Sequence, residues 1–221
     1  MTHYRDPERP YTRAERISDA VVHLGALGAA LAAVPVLITL AAVWKLGAGP
    51  ITGLAIYGGS LIAMLFCSFL YNHVPRPDWV VRLRALDQGA IFVKIAGTYT
   101  PFALLSGTGF GLLTAIWSGA AFGVVLSSLR RHRSVLPSAL LCLGLGWAIV
   151  VGGQGLLATL SGPVVMLMVA GGLLYSVGVP FLLATRMRFH NTIWHGFVVT
   201  ASVLYFIAIF IHMTQTALPP A

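Results

Sequence analysis

The chain has 221 residues, of which 57% are hydrophobic and only 9% charged, with a mean hydropathy of +0.86. A soluble domain of this length carries about a quarter charged residues, so this composition cannot build a water-facing surface, and lipid is the expected outside. The net charge of +8 would suit a nucleic acid, but its distribution along the chain argues against that class.

The first twenty residues, MTHYRDPERPYTRAERISDA, mix charges with two prolines and contain no apolar core. They lack the layout of a cleaved signal peptide and are read as a cytoplasmic N-terminal segment, 1–20. Apolar runs bounded by charges then predict seven spans, at 21–44, 51–72, 86–106, 110–129, 135–156, 163–184 and 192–213. Each is close to the ~20 residues that cross a hydrocarbon core of roughly 30 Å. The fifth is glycine-rich from Val151 to Gly155 and is expected to end early or kink there. The links Gly47-Ala48-Gly49-Pro50 and Ser106-Gly107-Thr108-Gly109 are turn chemistry, and short links make successive helices antiparallel neighbours. The reading is an all-α membrane protein, one seven-helix domain over 21–213, with a short external tail at 214–221. Cys67 and Cys142 lie inside apolar runs and read as small buried hydrophobes, without the spacing of a disulfide framework or a zinc knuckle.

Basic residues set the expected orientation. Arg5, Arg9, Arg13 and Arg16 precede the first span, and Arg76, Arg82 and Arg84 fall between the second and third. Arg130, Arg131 and Arg133 separate the fourth and fifth, and Arg186 and Arg188 the sixth and seventh, whereas the opposite side has Lys45 alone. Positive residues accumulate on the cytoplasmic side, so the N-terminus is expected inside and the C-terminus outside. The basic side is expected to meet anionic lipid headgroups. No nucleic-acid partner is expected.

Charge within a bilayer is costly, about 2.5–3.5 kcal/mol at a helix centre on insertion scales. Asp87 opens the third span and Lys94 lies two turns deeper on the same face, so the pair is expected to face the bundle interior, a cavity or each other. The orientation brings further polar groups to the same depth: Asn72 and His73 end the second span, His190, Asn191 and His195 begin the seventh, and His23 begins the first. Each alone reads as an interfacial cap, but together they suggest a site. Ser68 and Asn72 share a helix face, as do Asn191 and His195. His73 is turned by about 100° from Asn72, and His190 by roughly 140° from His195, so His190 could join a common ion only from the preceding loop.

Five stretches carry a resemblance: ERISDAVVHLGAL from Glu15, SFLYNH from Ser68, LRALDQGAIFVKIAGTYTPF from Leu83, GGLLYSVGVPF from Gly171 and NTIWHGFVV from Asn191. In that order they resemble the hemolysin III family, the bacterial branch of the group containing the progestin and adipoQ receptors. The resemblance implies a seven-helix fold with a cytoplasmic N-terminus, in a bacterial cytoplasmic (inner) membrane. It also implies zinc near the cytoplasmic face, held by three histidines from a Ser-x-x-x-His motif and a His-x-x-x-His motif, with a serine and an aspartate beside the metal's water. Ser68, Asp87 and His195 match that pattern, whereas Asn72 and Asn191 stand where two of the histidines would be. Lys94 stands where the family usually has an apolar residue. Asn is a weak zinc partner, because catalytic zinc sites take three ligands from His, Cys or carboxylate. His195 is then the best metal candidate, with Asp87, Asn72 and Asn191 at or near ligand positions. Alternatively, Lys94 replaces the ion and pairs with Asp87.

Three functions follow. The site is a degenerate metal-dependent hydrolase of amide-linked lipids, with Ser68 and Asp87 catalytic and Asn72, His73, Lys94, His190 and Asn191 lining its cavity. Or the same cavity serves a non-catalytic sensor or regulator of membrane state. The family name adds a pore-forming, cytolytic alternative, for which the sequence offers no repeated channel-lining helix.

Overall fold

The computed structural model describes residues 10–74, 77–129 and 135–218. Arg5, Arg9, Arg76, Arg130, Arg131 and Arg133 of the orientation argument lie outside these residues. Helix α1 runs Arg13–Val43 and starts well ahead of residue 21. The cause is a capping box: Glu15 N–H donates to Thr12 Oγ1 (3.3 Å) and Thr12 N–H donates to Glu15 Oε2 (2.9 Å), which satisfies amides that the first turn leaves unpaired. Helix α2 spans Ala48–His73, and a 3-10 turn at Pro77–Trp79 leads into α3, Val80–Ser106. There follow α4 (Phe110–Leu129), α5 (Leu136–Gly152), α6 (Gln154–Leu157), α7 (Gly162–Leu183) and α8 (His190–Ala217). No strand occurs among the described residues.

Six of these helices (α1, α2, α3, α4, α7 and α8) are long and apolar enough to cross a membrane. Helix α5, with 17 residues, is apolar but shorter. The fifth predicted span is broken where its glycines lie, with α5 ending at Gly152 and α6 resuming at Gln154. A Cβ on Gly153 would sit 2.5 Å from the carbonyl oxygen of Ile149, so the break needs glycine. Helix α8 continues to Ala217, past residue 213, where the predicted span ends.

Helix α3 is the centre of the bundle: 67% of its most apolar stretch is buried, against 22% for α1, α4 and α7. It packs on α2, α4, α5 and α8, while α1 closes onto α2 and α8, and α7 lies along α8. Glycine permits the closest approaches. A Cβ on Gly97 would meet Ser60 Oγ at 2.2 Å, and one on Gly171 would meet the Tyr205 ring at 2.7 Å, the small-residue contact by which helices associate in lipid. Within α3, Thr98 and Thr100 return their hydroxyls to Lys94 O and Ala96 O, both at 2.8 Å. The Tyr99 hydroxyl donates to Gly146 O (2.8 Å) and ties α3 to α5. Large apolar side chains such as Val21, Val36, Phe122, Val151 and Met166 cover the outside. Such a surface is rare on a soluble monomer and suits contact with acyl chains.

Candidate functional site

At one end of the bundle α1, α3 and α8 begin and α2 ends, and the polar side chains gather there around Asp19. Because α1 is already helical at residue 13, Asp19 and His23 lie one turn apart on one face. Both are buried, with exposures of 4% and 2%. His195 of α8 donates Nδ1–H to Asp19 Oδ1 at 2.6 Å. His23 donates Nδ1–H to the backbone oxygen of Asp19 (3.0 Å), with Asp19 Oδ2 3.6 Å away. His73, the last residue of α2, brings Nε2 to 3.1 Å from Asp19 Oδ2. Asn191 Nδ2 donates to the same carboxylate oxygen at 3.3 Å. One carboxylate thus gathers three imidazoles and an amide from three helices.

Ser68 sits on the far side of the two α1 and α8 imidazoles. Its Oγ is 3.2 Å from His23 Nε2 and 3.5 Å from His195 Nε2. Asp87 reaches the Ser68 side chain from α3 and has Arg84 nearby. Asn191 Nδ2 also donates to Asn72 Oδ1 (3.1 Å), and Asn72 Nδ2 donates to Ser68 O (2.9 Å). Ser68, Asn72, His73, Asp87, Asn191 and His195, named from sequence, therefore come together.

Two expected members stand apart. His190 opens α8 but turns away: Nδ1 faces Phe181 O (3.2 Å) and Nε2 faces the Tyr11 hydroxyl (2.8 Å). It fastens the start of α8 to the end of α7 and to the segment before α1. Lys94 does not pair with Asp87. Its ammonium donates to the Tyr175 hydroxyl at 2.5 Å and lies 4.6 Å and 5.3 Å from the Tyr175 and Tyr205 ring centres. Two turns of helix carry it past the carboxylate to tyrosines of α7 and α8, whose faces attract a cation.

The sequence reading missed Asp19, and with it Glu15. Glu15 Oε1 accepts from Phe189 N–H at 2.9 Å, so the residue that caps α1 also caps the approach to α8. The signal was present: Thr12 followed three residues later by glutamate is a helix-start signature, and it places Asp19 one turn before His23 on a buried face.

A cavity of about 470 Å3 opens beside the cluster, lined mainly by apolar side chains. Ser68, Asp87 and His195 line it at the polar end, and Lys94, Ile95 and Val198 farther along. That volume falls within the range of small-molecule sites. The zinc implied by the resemblance does not fit the positions implied for it. Asn72 and Asn191 are bonded to each other, with their remaining amide hydrogens directed to Ser68 O and Asp19, and a neutral amide oxygen is a poor zinc donor. His195 alone remains of that set.

A family model described as Haemolysin-III related matches residues 12–206. The chain is 35% identical over 208 residues to the Hemolysin-3 homolog of Bacillus subtilis (strain 168), covering 93% of this chain and 97% of that protein. It is 33% identical over 207 residues to Hemolysin-3 of Bacillus cereus, covering 92% of this chain and 94% of that protein.

Proposed function

The chain belongs to the haemolysin-III related family, and from that premise we propose that it hydrolyses amide-linked lipids at the polar end of its cavity. The observation that carries the reading is a mainly apolar cavity that ends on a hydroxyl, a carboxylate and an imidazole, Ser68, Asp87 and His195. An acyl chain fits the apolar part, and the linkage to be cleaved meets the polar part. Asp87 is the general base that takes a proton from the attacking water, and it returns that proton to the leaving amine. The Ser68 hydroxyl donates to the carbonyl oxygen as negative charge develops there, in the manner of an oxyanion donor. The test is release of free fatty acid from N-acylated lipids by protein reconstituted in vesicles. Ser68→Ala and Asp87→Asn should each reduce it sharply, and equal release by wild type and Asp87→Asn ends the hydrolase reading.

A second reading is favoured by the Asn72–Asn191 bond, which puts a neutral amide contact between α2 and α8. On this reading the cavity senses or regulates membrane state without catalysis, and lipid occupancy shifts how α2 and α8 pack. The family name suggests a third, a cytolytic pore, for which dye leakage from vesicles abolished by Asp87→Ala would be the sign.

The same proposal includes the topology. Helix α5, about 26 Å long at 1.5 Å per residue, makes the seventh crossing with the short α6 after it. The arginine-rich ends lie in the cytoplasm against anionic headgroups, so the Asp19 cluster is on the cytoplasmic side and the C-terminus outside. The membrane is then the bacterial cytoplasmic (inner) one. A reporter fused after Ala217 that is active only in the cytoplasm should stay silent, and its activity there would reverse the assignment.

A further inference from the structure

Lys94 sits midway along α3 and is only 3% exposed, so its charge lies far from both ends of the bundle. Its ammonium carries three N–H groups. One of them donates to the Tyr175 hydroxyl, and the Tyr175 and Tyr205 rings flank the cation. Among the described residues it meets no other hydrogen-bond acceptor and no carboxylate. Asp87 stands about 10 Å before it along the helix axis, at ~1.5 Å per residue. A cation at this depth is costly unless it is answered, and ring faces answer it only in part. Lys94 lines the cavity, so an occupant of that cavity can supply what the protein does not.

We propose that Lys94 binds the carboxylate of a hydrophobic monocarboxylic acid whose body fills the apolar part of the cavity. Charge selects the head group. Arg84, the other Lys or Arg along the cavity, lies ten residues earlier and beside Asp87, so a single cation serves this depth and a single negative charge balances it. A carboxylate also matches the donors. Lys94 gives N–H to one oxygen. With Ser202 as donor in its 2.8 Å contact with Tyr175, the Tyr175 hydroxyl is free to give its own proton to the other. The walls select the body. Tyr99 spends its hydroxyl proton on Gly146 O and Trp147 its N–H on Ser176 Oγ, so these two lining residues offer the cavity apolar surface, as do Met168 and Val198. Few polar groups in an apolar pocket fix how a ligand lies. The other polar station, at Ser68, holds Asp87 with Asp19 close behind, and like charges repel. A neutral amide can settle there, but an acid is turned away toward Lys94.

This site goes beyond the hydrolase reading and stands without it, because binding of an acid is measured whether or not an amide is cleaved. Full-length protein in lipid nanodiscs is titrated with radiolabelled hexadecanoic acid and, separately, with pyrenebutanoic acid, against empty nanodiscs. At least one acid should bind saturably, and the tighter of the two shows whether the body is a chain or a ring system. Lys94→Met should weaken that binding about tenfold or more, the scale of a lost charge-assisted hydrogen bond. The methyl ester of the same acid should bind wild type more weakly by a similar factor, a comparison that needs no variant should Lys94→Met fail to fold. Asp87→Asn, which removes a like charge, should bind the acid at least as tightly as wild type while losing hydrolysis. Absence of saturable binding by both acids overturns the proposal, as does a folded Lys94→Met that binds like wild type or an ester that binds like its acid. Weaker binding by Asp87→Asn would put the carboxylate at the Ser68 end and overturns it too. Acid binding without amide cleavage removes the hydrolase reading alone, and cleavage without acid binding removes this one alone.

Discussion

The two ends of the bundle each hold a buried histidine beside a serine, and they differ in whether carboxylates join them. At the end where α3 and α8 finish, Thr159 Oγ1 donates to Ser106 Oγ (2.9 Å), and Ser106 lies 3.0 Å from His212 Nε2. Each hydroxyl proton there has an acceptor, and the Phe102 ring covers the imidazole at 5.9 Å. No acidic residue follows Asp87 in the sequence, so this cluster contains no carboxylate. At the Asp19 end, imidazoles from α1, α2 and α8 surround one carboxylate, and a second carboxylate stands close by. Similar residue types thus make a staple without a carboxylate at one end and a cluster gathered around buried carboxylates at the other. Three measurements would break or sharpen this contrast.

The largest effect should fall on chemistry. Asp87→Asn should reduce lipid-amide hydrolysis by about 10²-fold or more, the scale of a lost general acid–base, while His212→Gln changes it less than about twofold. Comparable losses from both variants would mean that the two ends are not functionally distinct. The next effect concerns stability. Removing one member of a buried charged cluster typically costs about 3–5 kcal/mol, whereas a single neutral hydrogen bond is worth about 1 kcal/mol. Thermal unfolding in detergent should therefore drop much further for Asp19→Ala than for Ser106→Ala, and equal drops would refute the idea that Asp19 organises its end. The smallest effect is expected between the two ends. Lys94→Met removes a buried cation but leaves the Tyr175 hydroxyl its 2.8 Å contact with Ser202, so stability should stay within about 1.5 kcal/mol, as volume-conserving swaps usually do. A loss several times larger would show that Lys94 holds α3 to α7.

Much of this was readable from the chain itself, and the failures have physical causes. Apolar run length locates the helices because a bilayer sets a minimum length, and glycine crowding locates the break at Gly153 because a Cβ there would clash. The polar layer could be read from span ends, since helices joined by short links bring their ends to a common level. Neighbour choice could not be read. Whether Lys94 meets Asp87 or Tyr175 depends on the rotation of α7 and α8 about their axes, and that is set by packing at glycines such as Gly171 and not by period. By helical angle His73 is out of frame with Asn72. But α2 packs against both α1 and α3, so side chains that diverge by about 100° still point into the same interior. Asp19 was hidden by its setting: charged neighbours made the segment look like a solvated leader, and only the helix-start pair Thr12 and Glu15 indicates otherwise.

The contacts joining α1 to α8 have a consequence for the timing of biosynthesis. His195 and Asp19 are 176 residues apart in the chain, and Phe189 and Glu15 174. At ordinary synthesis rates Asp19 waits roughly 10–35 s for its histidine. During that interval the first helix carries a carboxylate without its final partner on α8. Helix α8, made long after α1, is therefore the one that completes it.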